Sequence, residues 1–192
     1  IKKIKNEIFI PLTVGGGIDN LNQASEIIDQ GVEKISLNSI LNENPKVVEE
    51  IAKKFGSQSV VASIDVKKID NVYKVFFNNG KKVSKILLKD HIKLLENLGV
   101  GEIILTSIDY EGKRCGFDIN LYKSIQDLTN LPIVANGGAA NTSSFTDLFD
   151  KTNLSAATAG SLFVFFGNRK AVLLNYPNDQ TIKKIMDDYE NI

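Results

Sequence analysis

The chain has 192 residues, of which 43% are hydrophobic, so it can bury a sizeable core and is unlike a disordered or fibrous protein. Lys plus Arg and Asp plus Glu number 23 each, so no net field favours nucleic acid or an anionic membrane, and an anionic ligand needs a local site. The single cysteine excludes a disulfide within the chain; with no secretory or membrane-spanning segment in the sequence, it predicts a cytoplasmic protein.

Apolar segments of strand length alternate with segments of helical period along the whole chain, which is typical of βα units around a parallel sheet. The predicted strands are 8–14, 34–37, 60–65, 102–106, the segment led by Pro132, and 156–159. The predicted helices are 21–28, 45–55, 87–98, 119–128, 143–149 and 181–189. The pattern therefore predicts an α/β fold with six βα units.

Two further segments interrupt this alternation. Residues 66–83 form an insertion in which Val72–Phe77 and the turn Asn78-Asn79-Gly80 predict a small hairpin. The loop through Lys113-Arg114-Cys115-Gly116 is long and rich in charge and glycine, which is typical of a mobile substrate loop.

Six units are two fewer than the eight of a closed (β/α)8 TIM barrel of about 250 residues. The chain also opens on Ile1 rather than Met, with a helix-like segment leading straight into a strand. We therefore expect residues 1–192 to be one partial barrel domain, from the third to the eighth unit, without the first two. On that expectation the fragment alone is inactive, because its sheet cannot close and two edges stay open.

Consecutive glycines follow the first strand, at Gly15-Gly16-Gly17, and glycines without a Cβ let backbone N–H groups approach an anion such as phosphate. A plain turn is the alternative interpretation of one such cluster. The segment LPIVANGGA repeats the design of IPLTVGGGI, and each copy is followed by a strand with a small polar end, Asn38-Ser39 and Gly160-Ser161. This internal repeat predicts a doubled half-barrel with two similar phosphate sites. Two such sites predict a long substrate with a phosphate at each end.

The carboxyl ends of parallel strands share one edge of a sheet, where ligands bind. Six strand ends carry polar or glycine residues and predict an active-site face: Gly15–Gly17, Asn38-Ser39, Asp65, Asp109 with Glu111-Gly112, Asn136-Gly137-Gly138, and Gly160-Ser161.

Asp65 follows the apolar run VVASI and lies between the two pairs of echoed strands, so partial burial could raise its pKa for general acid or base chemistry. Alternatively, it caps the loop or pairs with Lys67 or Lys68. Its symmetry partner would lie on the first strand of an intact barrel, outside this chain.

The remaining reactive side chains give less evidence of a functional role. His91 stands beside Lys89 and Asp90 and is predicted to lie on the surface. No second histidine and no cysteine at ligand spacing indicates a metal site. Cys115 has Lys113 and Arg114 nearby, but without a partnering histidine it is not favoured as a nucleophile.

Five motifs resemble the cyclase subunit of imidazole glycerol phosphate synthase: PLTVGGGI, KISLNSILNENP, FGSQSVVASID, GEIILTSIDYEG and LPIVANGGA. The resemblance covers nearly the whole chain and implies the third to eighth units of that family's barrel. It implies a soluble enzyme of histidine biosynthesis without a cofactor. Ammonia from a glutaminase partner passes through the barrel and closes a ring on a ribulose-containing bisphosphate precursor, giving imidazole glycerol phosphate and aminoimidazole carboxamide ribotide.

The resemblance also implies roles for particular residues. Asp65 matches the general acid. One phosphate site corresponds to Gly17, Asn38 and Ser39, and the other to Gly112, Gly138, Gly160 and Ser161. Glu111 stands where the family usually has Asp, which puts its reach in doubt. Lys34 and Glu102 match the charged gate through which ammonia enters; the alternative is a solvated ion pair worth about 0–1 kcal/mol.

The C-terminal run from Gly160 to Pro177 departs from the histidine-pathway enzyme. It resembles a paralogous branch associated with acetamidino modification of surface-polysaccharide sugars, in which the barrel passes ammonia from its glutaminase to a sugar amidotransferase. Two hypotheses therefore stay open, a cyclase and an ammonia-relay subunit. A phosphosugar isomerase on the same barrel is a third, which the strand motifs disfavour.

Overall fold

Strands and helices alternate along the part of the chain that the computed structural model describes, residues 1–167, 171–174 and 176–190. The strands are β1 (Thr13–Gly15), β2 (Lys34–Leu37), β3 (Val60–Ile69), β4 (Val72–Phe77), β5 (Lys82–Leu87), β6 (Glu102–Ser107), β7 (Ile133–Asn136), β8 (Ala156–Ala157), β9 (Phe165–Phe166) and β10 (Ala171–Val172). The helices are α1 (Lys2–Lys5), α2 (Leu21–Ile28), α3 (Ile40–Glu43), α4 (Pro45–Phe55), α5 (Leu88–Asn97), α6 (Ile119–Lys123), α7 (Ser143–Lys151), α8 (Ser161–Val164) and α9 (Asp179–Glu190).

Six parallel strands form the main sheet, in the order β1-β2-β3-β6-β7-β8. Each strand lies beside the strand of the next βα unit, with β1 and β8 at the two ends of the path. The curled parallel sheet with its crossover helices confirms the predicted α/β fold as a partial (β/α)8 barrel. All six carboxyl ends consequently point to one edge of the sheet.

Local sequence signals set the helix ends. The Asn20 Oδ1 atom accepts the amide of Gln23 at 3.0 Å and so caps α2. Pro45 is the first residue of α4, where its missing N–H costs nothing, and Gly56 ends that helix at a φ of +86°. These caps hold the helices in place behind the strands whose ends carry the site.

The prediction that residues 66–83 are an insertion after a strand ending at Asp65 is partly wrong. β3 does not stop at Asp65 but runs on to Ile69, and β4 and β5 add to it as an antiparallel meander. The predicted hairpin strand Val72–Phe77 and the turn at Asn78-Asn79 are confirmed; both asparagines have a φ near +55°. Residues 66–83 therefore extend the central strand beyond the rim, because pairing with β4 supplies hydrogen-bond partners that a lone strand end would lack.

Several other boundaries differ from the prediction. The first strand, predicted over 8–14, is Thr13–Gly15. The helix predicted over 119–128 ends at Lys123, because the Ser124 hydroxyl bonds back to the Leu121 carbonyl at 2.6 Å. The strand predicted over 156–159 is Ala156–Ala157, and the last helix is longer than predicted. Residues 168–170 and 175 of the unusual C-terminal run lie outside the described residues.

The core lies between the sheet and its helices, and it contains His91, which the sequence analysis placed wrongly on the surface. His91 has no exposed area and shares one face of α5 with Leu88, Ile92 and Leu95, all buried. The neighbours Lys89 and Asp90 suggested a surface, whereas the helical spacing from Leu88 puts His91 inside. None of the helices in the described ranges is both long and apolar enough to cross a bilayer.

Candidate functional site

The predicted strand ends gather at one edge of the sheet and line two pockets there. The first pocket lies at the ends of β1, β2 and β3, and the second at the ends of β6, β7 and β8. Each pocket therefore contains one copy of the repeated glycine design, the first at Gly16-Gly17 and the second at Gly137-Gly138.

The first pocket has a volume of about 300 Å³. Its lining is mainly polar and comprises Gly16, Gly17, Ile18, Asp19, Ser36, Leu37, Asn38, Ser39, Ile40, Ser63, Asp65 and Asn79. Gly17 has a φ of +69°, and a Cβ there would meet no atom within 4 Å, so the backbone faces open space. The positive φ, and not crowding, is what favours glycine at this position.

Asp65 lies in the wall of the first pocket. The Asn38 Nδ2 atom donates to Asp65 Oδ2 at 3.0 Å and also to the Ser63 carbonyl at 3.0 Å. Burial raises the pKa of the Asp65 carboxyl above its usual value, while hydrogen bonds from Asn38 and Thr106 oppose part of that rise. A half-buried carboxyl held toward its protonated form can act as a general acid. The alternative of pairing with Lys67 or Lys68 does not occur here, since both hydrogen-bonding neighbours of Asp65 are neutral.

The second pocket is narrow, with a volume of about 10 Å³. It is lined by Glu111, Gly112, Arg114, Asn136, Gly137, Gly138, Ala139, Thr158, Ala159, Gly160 and Ser161. Gly138 is needed for close packing, because a Cβ there would stand 2.1 Å from the Gly116 carbonyl oxygen. This contact holds the loop between β6 and α6 against the end of β7.

Arg114 supplies the cation of the second pocket and was not singled out by the sequence analysis as a site residue. Its guanidinium donates to the carbonyl oxygens of Ala140 and Phe165 at 3.4 and 3.5 Å. Within the described ranges it forms no ion pair with a carboxylate. Its charge is therefore free to balance an anion. A basic residue in a glycine-bounded loop after a strand is the signal that could have identified it.

Thr106 and Thr158 were also missed. Thr106 is buried near the end of β6 beside its register neighbour Asp65, whereas Thr158 follows β8 and bonds to Asn136. Both are small polar residues at strand ends, but only the strand register shows which side chains they meet.

Two of the predicted residues are engaged by the hairpin. Asp109 lines neither pocket; its Oδ2 atom accepts the amide of Lys68 at 3.0 Å. The Ser39 hydroxyl accepts the amide of Asn78 at 3.2 Å, which brings the hairpin turn over the first pocket. These contacts anchor the β3–β5 meander beside the site.

A buried carboxylate that the sequence analysis did not identify braces this region. Asp118 is 5% exposed and accepts from the Tyr73 hydroxyl at 3.1 Å and from the Leu121 amide at 3.2 Å, where it caps α6. Its proximity and burial together raise the pKa of Tyr73. The phenol therefore stays protonated and keeps donating, which ties β4 to α6.

At the opposite edge of the sheet, Lys34 and Glu102 form an ion pair between the first residues of β2 and β6. Both side chains are partly buried. The pair spans β3, which lies between these strands. Among the residues that the structure describes, no group of three or more His, Cys, Asp and Glu is placed to hold a metal ion.

Comparison with known proteins matches residues 1–169 to the family of histidine biosynthesis proteins. A Leptospira borgpetersenii protein, provisionally named imidazole glycerol phosphate synthase subunit HisF, is 44% identical over 180 residues, which are 93% of this chain and 71% of the relative. The imidazole glycerol phosphate synthase subunit HisF of Thermotoga sp. is 43% identical over 165 residues, 86% of this chain and 65% of the relative. A Pseudomonas aeruginosa protein provisionally named as subunit hisF2 is 43% identical over 179 residues, 93% of this chain and 71% of the relative. With its partial barrel and this likeness over most of its length, the chain belongs to the histidine biosynthesis protein family and is similar to its HisF-type subunits.

Proposed function

We propose that the chain is a cyclase subunit of the imidazole glycerol phosphate synthase type. It uses ammonia to convert a ribulose-containing bisphosphate into imidazole glycerol phosphate and aminoimidazole carboxamide ribotide. The observation that carries the proposal is the position of Asp65, a half-buried carboxyl in the wall of one glycine-lined pocket, with a second such pocket at the same edge.

The two pockets suit the two phosphates of the substrate. In the first pocket, Gly17 supplies open backbone and Asn38 and Ser39 supply polar side chains. In the second, Gly112, Gly138, Gly160 and Ser161 line the pocket together with Arg114. Charge-assisted hydrogen bonds from such a guanidinium hold phosphate well.

Asp65 is assigned the role of general acid. Its carboxyl stays protonated to a higher pH than an exposed aspartate, and it lies in the wall of the first pocket, on the strand next to those that end at the second. From there it can donate a proton to a group leaving the middle of a substrate whose ends are held. Asn136 and Gly137 lie on the same face and complete the wall of the second pocket.

The opposite edge is assigned to ammonia entry. Lys34 and Glu102 bridge the amino ends of β2 and β6, so a glutaminase subunit docked there could deliver ammonia toward the pocket edge. This assignment follows the resemblance to the cyclase family.

The test is an assay of the full-length protein with the bisphosphate precursor and an ammonium salt. We expect both products in equal amounts. A folded protein that forms no imidazole product would end the proposal.

A second candidate is the paralogue that relays ammonia to a sugar amidotransferase in surface-polysaccharide synthesis. The run from Gly160 to Pro177, unlike that of the histidine-pathway enzyme, favours it. In that case the protein would bind and activate a glutaminase when the amidotransferase is present and would not respond to the bisphosphate. The isomerase alternative would instead show turnover of a phosphosugar without ammonia.

A further inference from the structure

Three side chains form a hydrogen-bonded row that ends beside Asp65 at the pocket edge of the sheet. The Thr158 hydroxyl donates to Asn136 Oδ1 at 2.7 Å, and the Asn136 Nδ2 atom donates to Thr106 Oγ1 at 3.0 Å. Thr106 is the register neighbour of Asp65 on the adjacent strand, and its hydroxyl helps to lower the pKa of the Asp65 carboxyl. The row thus leads from the second pocket, which Asn136 and Thr158 line, to the acid in the wall of the first.

The strand register explains why these side chains meet. Asp65 pairs with Thr106 between β3 and β6, and Thr106 pairs with Asn136 between β6 and β7. Side chains at matching positions of adjacent parallel strands lie on the same face, about 4.8 Å apart. Thr158 is fixed beside them because its amide donates to the Ala135 carbonyl at 2.8 Å.

Every hydrogen bond in the row points towards Asp65. The Asn136 amide uses its oxygen for Thr158 and its nitrogen for Thr106. Since the Thr106 oxygen already accepts from Asn136, its own proton is left to donate to the carboxylate. Hydrogen bonds aligned in this way polarise and strengthen one another.

Neutral neighbours surround the carboxyl at the end of the row. Asn38, which follows β2, donates to it, Thr106 is its register neighbour on β6, and Phe76 is its register partner on β4. None of these three side chains titrates. Hydrogen bonds, and not neighbouring charges, therefore oppose the rise that burial causes in the pKa of the Asp65 carboxyl.

We propose that Asn136 and Thr158 are positioning residues, which orient the Asp65 carboxyl through Thr106 and link that orientation to the second pocket. Naming Asp65 as the acid of the reaction rests on the proposed function. The hydrogen-bonded row itself does not, and it can be tested separately.

The decisive variants are Thr158→Val and Thr158→Ser. Valine keeps the shape of threonine and removes the hydroxyl, whereas serine keeps the hydroxyl. Thr152→Val is the matched control, because it removes a buried threonine hydroxyl that bonds to the Leu148 carbonyl at the end of α7, away from the row.

Two measurements are made on each variant of the full-length protein. The first is the titration of the Asp65 carboxyl by carbon NMR on protein labelled at aspartate, with the signal assigned by its absence from Asp65→Asn. The second is kcat and KM with the bisphosphate and ammonium. Losing the donor should move the Asp65 midpoint upward by about half a unit in Thr158→Val and lower kcat about three- to tenfold with little change in KM. Thr158→Ser should restore both values, and Thr152→Val should leave the Asp65 titration where it is in the unaltered protein.

An unchanged Asp65 titration in Thr158→Val would overturn the proposal, as would a shift of the same size in Thr152→Val. If the Asp65 titration moves as expected but neither the unaltered protein nor any variant forms the imidazole product, the positioning role is supported and the proposed reaction is rejected.

Discussion

At the scale of single residues, Asp65 carries the chemistry proposed for this protein. Asp65→Asn keeps the shape of the side chain and removes the transferable proton. We expect kcat to fall at least about 100-fold, the usual range for a lost proton-transfer group, with the phosphate contacts intact. Substrate binding by calorimetry and single-turnover rates would check this. A loss of affinity equal to the loss of rate would instead assign Asp65 to binding.

His91 makes the stability of the fold depend on pH. Burial lowers the pKa of His91 to about 4 in the folded protein, and neither ring nitrogen has a hydrogen-bond partner among the residues that the structure describes. Above pH 6.5 the side chain is neutral in both states and contributes no pH dependence. Below pH 6.5 His91 binds a proton in the unfolded state but not in the folded state. The free energy of unfolding therefore decreases as the pH falls toward 4.

Urea unfolding at pH 8 and pH 5 measures this effect. The contribution of His91 amounts to about 2 kcal/mol lost at pH 5. His91→Leu, which is similar in volume and does not titrate, should lose correspondingly less stability over the same interval. Equal losses in the two proteins would show that the imidazole is protonated inside the fold.

At the scale of elements, the meander of β3, β4 and β5 stands over the first pocket on a few polar contacts. Asp109 was predicted to face the substrate, and it accepts the Lys68 amide. Asp109→Ala should therefore speed hydrogen exchange of the amides in β4 and β5 about five- to tenfold, the effect of losing about 1 kcal/mol of local stability. Asp109→Asn keeps an acceptor oxygen and should exchange nearly as the unaltered protein does. Weaker substrate binding without faster hydrogen exchange would instead support the prediction that Asp109 faces the substrate.

At the scale of the whole molecule, the two edges of the sheet have separate proposed tasks. Glu102→Gln removes the charge that Lys34 pairs with at the amino edge and leaves the pocket edge unchanged. We expect glutamine-driven turnover with the glutaminase subunit to fall about fivefold or more, the effect of about 1 kcal/mol at the entry. Turnover driven by added ammonium is the control and should be preserved. An equal fall in the glutamine-driven and ammonium-driven rates would show that this ion pair is not a gate for ammonia.

Much of the architecture was predictable because it depends on local signals. The Asn20 and Pro45 caps, the Gly56 stop and the alternating apolar segments act over a few residues, and they predict the order of βα units. Since parallel strands end at one edge, the gathering of Gly17, Asp65 and Gly138 there also follows from the chain itself. The resemblance of five motifs identified the family that the comparison confirms.

Contacts between side chains from different strands were beyond local signals. The row from Thr158 to Asp65 depends on the register of four strands, and a one-residue slip would turn each side chain to the other face. His91 was misplaced because its charged neighbours in the sequence are not its neighbours in space, and Arg114 reaches the second pocket only through the fold of its loop.

The sequence by itself determined the alternation of strands and helices and the glycine-rich strand ends, because periodicity and backbone freedom are properties of short segments. Only the tertiary structure decided that the two pockets differ in volume and that neutral side chains from neighbouring strands face Asp65. Distances across a sheet are set by strand register and packing, which no short segment contains.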